Sequence, residues 1–388
     1  MSTIKVNSIE STSTADGGIS IDTSGHVTVD GVAMPSAGPL SNRNLIINGA
    51  MQVAQRGTSS TTSGYGSVDR FRSVVSSGTV TQTQESLTSG DPYDEGFRYF
   101  YRATNTTAGS NDASEFRGLH QYIEAQNLAS SGWNYASSTS YVTLSFWARS
   151  SVGGTYYGVL RSLDGTAQGY SFAYTLSADT WTKVTHTVPG NSNITFNNDN
   201  GVGLQVRLPI DLGTDYTNSS HTTETWAAWD NNNRCPDITH DWAGTTDATF
   251  DITGVQLEVG SVATPFEHRS YGDELARCQR YYYKTQPGQY ASFAMGYNRN
   301  TTLTHAFTTF PVPMRTAPTS IETSGTAGDY SINYLASNAT CSVVPSFDQG
   351  SAEGADFNFT VSSGLTAGQG AKAIAQTADG YLAWSAEL

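Results

Sequence analysis

The sequence predicts an all-β protein with one short helix. Only 14% of the 388 residues are charged, whereas glycine (38 residues) and tyrosine (21 residues) are abundant. Aromatic and β-branched side chains pack well on pleated sheets, while long amphipathic helices need more Leu, Glu, Lys and Ala. Several segments also alternate between apolar and polar residues, as half-buried strands do. The length is sufficient for two or three domains with sizeable cores.

The charge balance restricts the classes of partner. With 34 acidic and 20 basic residues, the formal net charge is −14. We expect no nucleic-acid partner, because such proteins need a basic surface and no run of Lys and Arg occurs. Nor do we expect membrane insertion or secretion, because no apolar run approaches a membrane span and the N-terminus does not resemble a signal peptide.

The three cysteines indicate where the protein is made. Cys235, Cys278 and Cys341 are too few and too scattered for a disulfide framework or a zinc site. Synthesis and assembly in a reducing cytoplasm are therefore expected. The composition is nevertheless typical of an extracellular adhesin. A component of a virus particle would reconcile the two, because it folds inside a cell and acts outside it.

Residues 1–40 form a distinct segment. Ile19 and Ile21, then Val27 and Val29, alternate around a Ser-Gly turn, and an Asp-Gly turn follows at residues 30–31, which predicts a hairpin. Forty residues with so few large apolar groups cannot bury a core alone. The segment is either a disordered tail or an attachment and trimerisation segment that pairs with its own copies or with another protein. Its clean alternation favours the second interpretation.

Residues 41–270 form the main β region, which we expect to be a sandwich or jelly roll. Gln205 and Arg207 point outward from one predicted strand, and the apolar register of another changes at Thr253-Gly254, which indicates a β-bulge. The clearest strands lie in YVTLSFWARS, WTKVTHTV, GLQVRLPI and FDITGVQLEVG.

A helix is predicted in GDELARCQRYYYK, residues 272–284. Its acidic residues come first and its basic residues last, as the helix dipole favours. Leu275, Cys278 and Tyr282 fall on one face. A helix of about three turns is marginal alone, so residues 271–286 are interpreted as a connector. Residues 287–388 contain further alternating strands and predict a second β-sandwich.

Several of these segments, in this order, resemble tail-fibre and tail-appendage proteins of tailed bacteriophages, especially marine and cyanobacterial phages. The resemblance covers roughly residues 41–284, and the N-terminal and C-terminal segments also look like parts of such proteins. The matching segments are NLIINGAMQVAQRGTS, SVDRFRS, LSFWARSS, TWTKVTHTVPG, ITGVQLEVGSVATPFEHRS and DELARCQRYYYK.

The resemblance implies a homotrimer with a central jelly roll like those of carbohydrate-binding modules. It also implies a distal β domain that meets host surface glycans, and it carries no catalytic motif. In a threefold assembly, three helices would meet near the axis and bury Leu275, Cys278 and Tyr282 at the trimer interface.

The expected function is that of a virion tail fibre that adheres to host surface polysaccharide or lipopolysaccharide. Its N-terminal segment would join other virion proteins. Two alternatives stay open. The first is a structural head-fibre, decoration or baseplate protein that binds no receptor. The second is a glycan hydrolase or esterase, although neither a GxSxG motif nor a local carboxylate signature occurs.

The candidate glycan-binding residues are Trp226, Trp229 and Trp242. Aromatic rings stack on the apolar faces of sugars, and the neighbouring Asn and Asp side chains can bond hydroxyls. The competing interpretation is that these tryptophans pack on their own sandwich. The consecutive tyrosines 281–283 could form a stacking platform, but packing is the preferred interpretation because neighbouring positions on a helix point in different directions.

No cofactor or metal is expected. His240-Asp241 lacks a second ligand at a metal-binding spacing, and a loop turn is the preferred interpretation. The Asn- and Asp-rich segments at residues 197–200 and 230–233 offer oxygen atoms for calcium, but neither fits a full ligand spacing.

Overall fold

The structure is a computed structural model that describes residues 6, 8–10, 18–36, 41–109, 112–335 and 337–388. Its regular elements are almost all antiparallel strands, which confirms the all-β fold class. The chain divides into two compact units, Met1–Ser270 and Tyr271–Leu388. No helix in the described ranges is long and apolar enough to cross a membrane.

The first unit contains sixteen of the strands described here and two short helices. The strands are β1 (Ser8–Glu10), β2 (Gly18–Ile21), β3 (Val27–Val29), β4 (Val32–Ala33), β5 (Ser59–Ser60), β6 (Arg72–Val75), β7 (Thr79–Ser86), β8 (Tyr99–Thr107), β9 (Phe116–Glu124), β10 (Tyr141–Ser150), β11 (Gly154–Ser162), β12 (Gln168–Leu176), β13 (Thr182–Pro189), β14 (Val202–Leu212), β15 (Ala227–Ala228) and β16 (Thr249–Val259). The helices are α1 (Asp91–Asp94) and α2 (Ala125–Ala129).

Two six-stranded antiparallel sheets form the predicted jelly roll. The back sheet has the order β13-β10-β16-β8-β7-β5, and the front sheet has the order β15-β12-β11-β14-β9-β6. Alternate residues of both sheets point into a shared apolar core, to which the back sheet contributes Leu144 and Leu257 and the front sheet Leu160, Phe172 and Val206. The opposite residues of each strand therefore lie on the outer faces.

The predicted bulge in β16 is present. Between β10 and β16 the pairing passes from Ser145–Gln256 to Trp147–Thr253, so β16 holds one extra residue. Gly254 lies there with φ 64°, in the left-handed region that favours glycine. A Cβ atom at this position would come 2.7 Å from the ring of Phe97, so the close packing also requires glycine.

The described N-terminal residues form the predicted hairpin within a four-stranded sheet of order β1-β2-β3-β4. The Asp-Gly turn has φ 50° at Asp30 and φ 77° at Gly31, as a two-residue hairpin turn requires. The pairs Ile9–Ile19, Ile19–Val29 and Val29–Val32 align in register, so their side chains share one face. All four are exposed, by 37% to 60%. This apolar face has no cover within the described chain.

The second unit begins with α3 (Tyr271–Gln279) and is a two-sheet sandwich. Its strands are β17 (Tyr282–Thr285), β18 (Ser292–Asn298), β19 (Leu303–Thr309), β20 (Glu322–Thr323), β21 (Tyr330–Tyr334), β22 (Ser337–Thr340), β23 (Ser346–Gly350), β24 (Gly354–Thr360), β25 (Gly370–Ala375) and β26 (Leu382–Ser385), with a 3₁₀ turn at Ala327–Asp329. A sheet of order β17-β26-β20 packs on one of order β22-β21-β25-β18-β19-β24-β23. Trp384 lies in the core between them, 5.6 Å from Phe357.

The helix is shorter than the predicted segment. It ends at Gln279, and Tyr282 and Tyr283 belong to β17, which pairs with β26. Consecutive aromatic residues favour a strand once a partner strand is available, and tertiary pairing overrides the helical pattern here.

This placement changes the interpretation of the predicted trimer interface. Cys278 is fully buried and Tyr282 is 2% exposed within one chain, while Leu275 is partly exposed. The phenol of Tyr282 donates to Glu322 Oε2 at 3.0 Å. Cys278 and Tyr282 are therefore already buried within a single chain, and Tyr282 is held by Glu322 of the second unit.

Candidate functional site

The outer face of the front sheet carries an unusual set of polar side chains. In β9, Leu119 and Ile123 point into the core, so His120 and Tyr122 lie on the outer face. By the same alternation Arg207 of β14 and Arg161 of β11 lie there, because Val206 and Leu160 point inward. Rigid neighbouring strands therefore set the positions of these side chains, as a binding site requires.

A long loop after β14 folds across this face. Its strand β15 pairs with β12 and forms the edge of the front sheet, and the backbone N–H of Trp229 donates to Ala167 O at 2.8 Å. A Cβ atom at Gly169 would come within 2.9 Å of the Trp229 ring, so the indole lies close against the sheet there. A small apolar cluster of Tyr157, Leu212 and Cys235 fixes the next part of the loop.

A cavity of about 240 Å³ opens on this face. That is below the roughly 300–1,000 Å³ of sites for drug-sized ligands, so it suits one sugar residue or a small charged group. Basic, aromatic and aliphatic residues line it. The lining residues are Arg72, Val74, Phe116, Arg117, Gly118, His120, Tyr122, Val159, Arg207, Pro209, Leu212 and Arg234.

Hydrogen bonds hold several of these side chains in place. Arg72 Nη1 donates to the Tyr122 hydroxyl at 2.9 Å, and Arg207 Nε donates to His120 Nε2 at 3.3 Å. The other ring nitrogen of His120 lies 3.2 Å from the Gln205 amide. Burial, reinforced by Arg207 and Arg72, lowers the pKa of His120 well below 6.5. The imidazole is therefore neutral at physiological pH and accepts the bond from Arg207.

Only one of the three predicted tryptophans belongs to this site. Trp229 is partly exposed, with the guanidinium carbons of Arg161 and Arg207 at 4.5 and 5.1 Å from its ring centre. Trp242 is fully buried in the core, so its ring is closed to a sugar. Trp226 is 8% exposed and lines a second cavity of about 520 Å³ together with Gln168 and Asn193, so little of its ring is available there. The Trp226 indole donates to Pro189 O at 2.7 Å and packs on Tyr170, which explains its burial.

The contacts of His240 and Asp241 are those of packing and of a turn. His240 stacks on Tyr156 at 4.0 Å, and its two nitrogens face the carbonyl oxygens of Thr155 and Ile210. Asp241 Oδ1 accepts from the backbone N–H of Gly244, which is a turn interaction. Within the described residues, no group of three or more His, Cys, Asp or Glu side chains could hold a metal ion.

Most residues of the site carry no local sequence signal. The alternation in β14 predicts that Arg207 lies on an outer face, as found, but no local pattern predicts a role for Arg72, Tyr122, Arg161 or Arg234. They come from different strands and from the loop after β14, and those on strands meet only because β11, β14, β9 and β6 are neighbours in the sheet. The one available signal was arginine at outward positions of otherwise apolar strands.

Comparisons with known proteins give no family. No family model matches the chain, and no curated protein matches it. Solved structures that resemble it include the xylan-binding CBM22-1 domain of Paenibacillus barcinonensis Xyn10C, at 11% identity over 59% of this chain and 100% of that one, with a TM-score of 0.28.

Two further structures are similar to the same extent. One is the family 11 carbohydrate-binding module of Clostridium thermocellum with a mixed-linked tetrasaccharide, at 8% identity over 53% of this chain and 97% of that one, with a TM-score of 0.26. The other is a cyclase from Fischerella sp. TAU, at 10% identity over 60% and 100% of the chains, with a TM-score of 0.31. Scores this low do not transfer a ligand to this chain.

Proposed function

We propose that the protein is a glycan-binding adhesin and that the outer face of the front sheet is its binding surface. The cavity on that face is the observation that carries the proposal, because it combines aromatic rings with fixed hydrogen-bond donors. Tyr122, Phe116 and Trp229 offer apolar surface at or beside the cavity, and Arg72 and Arg207 offer planar donor groups. Sugars need both kinds of contact, since they present C–H faces and hydroxyls.

Binding fits this cavity better than hydrolysis does. Most glycosidases use two carboxylates on either side of the scissile bond. The described residues that line the cavity include no Asp or Glu. The cavity therefore has neither the acid nor the base that such a reaction requires.

The setting we propose is the tail fibre of a tailed bacteriophage, which rests on the resemblance of the sequence segments described above. A homotrimer would carry three copies of the site and would bind a polymeric glycan through avidity. The exposed apolar face of the N-terminal sheet supports self-association, because no described residue of the single chain covers Ile9, Ile19, Val29 or Val32. Light scattering of the intact chain tests the trimer, and a monomer at micromolar concentration would exclude it.

The proposed function is tested by binding of the purified chain to an array of bacterial surface glycans. We expect Tyr122→Ala to abolish the signal, because the substitution removes both the ring in the cavity and the hydroxyl that holds Arg72. Tyr290→Ala is the matched control, since Tyr290 is a 60% exposed tyrosine of the second unit. If the wild-type protein binds no glycan, or if both variants bind like the wild type, the proposal is wrong.

A further inference from the structure

Four arginines converge on the front sheet, and we call them the arginine cluster. They are Arg72, Arg161, Arg207 and Arg234. Trp229 is central to three of them: the guanidinium carbons of Arg161, Arg207 and Arg234 lie 4.5, 5.1 and 6.0 Å from its ring centre. The fourth, Arg72, lines the same cavity as Arg207 and Arg234. The cluster is thus a single positively charged surface in a protein of net charge −14.

Among the described residues, no counter-charge accompanies the cluster. Within the described part of the chain, none of its four guanidinium groups forms an ion pair with a carboxylate, whereas Arg102, Arg117 and Arg149 all do. The partners of the cluster are neutral: a phenol, an imidazole, indole and phenol rings, and the backbone and side chain of Asn231. The Nε of Arg161 is buried and has no hydrogen-bond partner in the part of the chain that the structure describes.

Such an arrangement is electrostatically unfavourable in the ligand-free protein. Burial and the neighbouring Arg234 and Arg161 lower the pKa of Arg207 to about 9. Burial also lowers the pKa of Arg161 and of Arg234. These shifts mean that the charged forms are poorly stabilised by their surroundings. Unfavourable groupings of this kind persist in proteins mainly where function requires them.

We propose that the ligand of this face is an acidic sugar residue, whose carboxylate or sulfate group binds among Arg72, Arg207 and Arg234. This inference rests on the proposed function and adds the chemical class of the glycan. The planar guanidinium matches two oxygens of an oxyanion at once. Tyr122 and Phe116, which line the same cavity, would contact the sugar ring.

A glycan fits the cluster better than a nucleic acid does. Nucleic-acid binding needs a basic stripe that follows many phosphates, but three of the four arginines of the cluster line one cavity of about 240 Å³. The net charge of −14 would also repel a long polyanion beyond the cluster. A single anionic group on a sugar satisfies the cluster without that repulsion.

The test is calorimetry of the full-length chain with three oligosaccharides of equal length. Tetragalacturonate carries carboxylates, a κ-carrageenan tetrasaccharide carries sulfates, and galactotetraose is neutral. We expect at least one acidic oligosaccharide to bind about tenfold or more tightly than the neutral one. Arg207→Gln should remove that preference, whereas Arg299→Gln, which deletes an exposed charge in the second unit, should preserve it.

The outcomes separate this inference from the proposed function. Equal binding of acidic and neutral sugars that depends on Tyr122 would overturn the acidic ligand and keep the adhesin. No binding of any glycan, including those on the array, would overturn both. Equally tight binding of a single-stranded oligonucleotide through Arg207 would also overturn the inference. A preference for the carboxylate or for the sulfate decides between the two sources of the anion.

Discussion

The two sheets of the jelly roll carry arginines on their outer faces in opposite ways. On the back sheet, Arg149, Asp251 and Arg102 lie side by side on β10, β16 and β8. Asp251 is buried and accepts hydrogen bonds from both arginines, with distances of 2.7–2.9 Å. On the front sheet, Arg117 is also paired, with Glu115 and Asp211, but the arginine cluster has no such carboxylate among the described residues.

This difference separates arginines that stabilise the fold from arginines that are available to a ligand. The bond to Asp251 raises the pKa of Arg102, so the folded back sheet stabilises the charge. In the arginine cluster of the front sheet, by contrast, burial lowers the pKa of Arg207, so the folded protein destabilises the charged form. A paired arginine has its partner within the chain, whereas an unpaired and partly buried one gains most from an external anion.

The largest expected effect concerns the paired arginines. Asp251→Asn leaves Arg102 and Arg149 next to each other without their common counter-charge. Because Asp251 is buried, we expect the free energy of unfolding of the first unit to fall by roughly 3 kcal/mol. Calorimetric melting should show a lower transition temperature, with glycan binding unchanged below that transition. An unchanged melting temperature would mean that the paired arginines do not stabilise the fold.

The second prediction concerns a substitution that gives the arginine cluster a carboxylate partner. Val74 lies at the wall of the cavity and is partly exposed. In Val74→Glu, the new carboxylate should pair with the cluster and compete with the ligand, so binding of the acidic oligosaccharide should weaken about tenfold. Val74→Gln is the control of equal size. Tighter binding by the glutamate variant would contradict an anionic ligand.

The third prediction concerns the stability of the ligand-free protein. Arg207→Gln removes one of the mutually repelling charges, so the first unit should gain about 1 kcal/mol, or about 2–4 °C in melting temperature. This expected change in the free energy of unfolding is opposite in sign to that of Asp251→Asn, although both substitutions remove one charge near arginines. A clear loss of stability in Arg207→Gln would place Arg207 among the structural arginines.

The smallest expected effect is that of pH. A protonated His120 would add a cation beside Arg207 and tighten anion binding at low pH. Since burial lowers the pKa of His120 well below 6.5, the imidazole stays neutral. Affinity for the acidic oligosaccharide should therefore change less than about twofold between about pH 5.5 and 8. Marked tightening below about pH 6.5 would show that His120 titrates in the free protein.

Much of the fold could be predicted from the sequence. Period-two alternation predicted β10, β13, β14 and β16, because burial on one face of a strand leaves a local pattern. The register change at Gly254 predicted the bulge for the same reason. The end of the helix was not predictable locally, because Tyr282 and Tyr283 become a strand only through pairing with β26, about a hundred residues later.

The site was less predictable than the fold. Trp226 and Trp229 lie three residues apart in a loop without periodicity, so nothing local tells which ring is buried and which is on the surface. The arginine cluster depends on the order of the strands in the front sheet, which joins residues from distant parts of the chain. The lack of counter-charge is a property of the folded surroundings and leaves no trace in the sequence.

The most direct test of the central claim is an NMR titration of ¹⁵N-arginine-labelled protein with the preferred acidic oligosaccharide. Nε–Hε resonances would be assigned by substitution of single arginines. We expect the signals of Arg72, Arg161, Arg207 and Arg234 to shift with a common saturation curve, while those of Arg102 and Arg149 stay in place. Shifts confined to Arg102 and Arg149, or no shift at saturating binding, would contradict the claim that the unpaired cluster receives the anion.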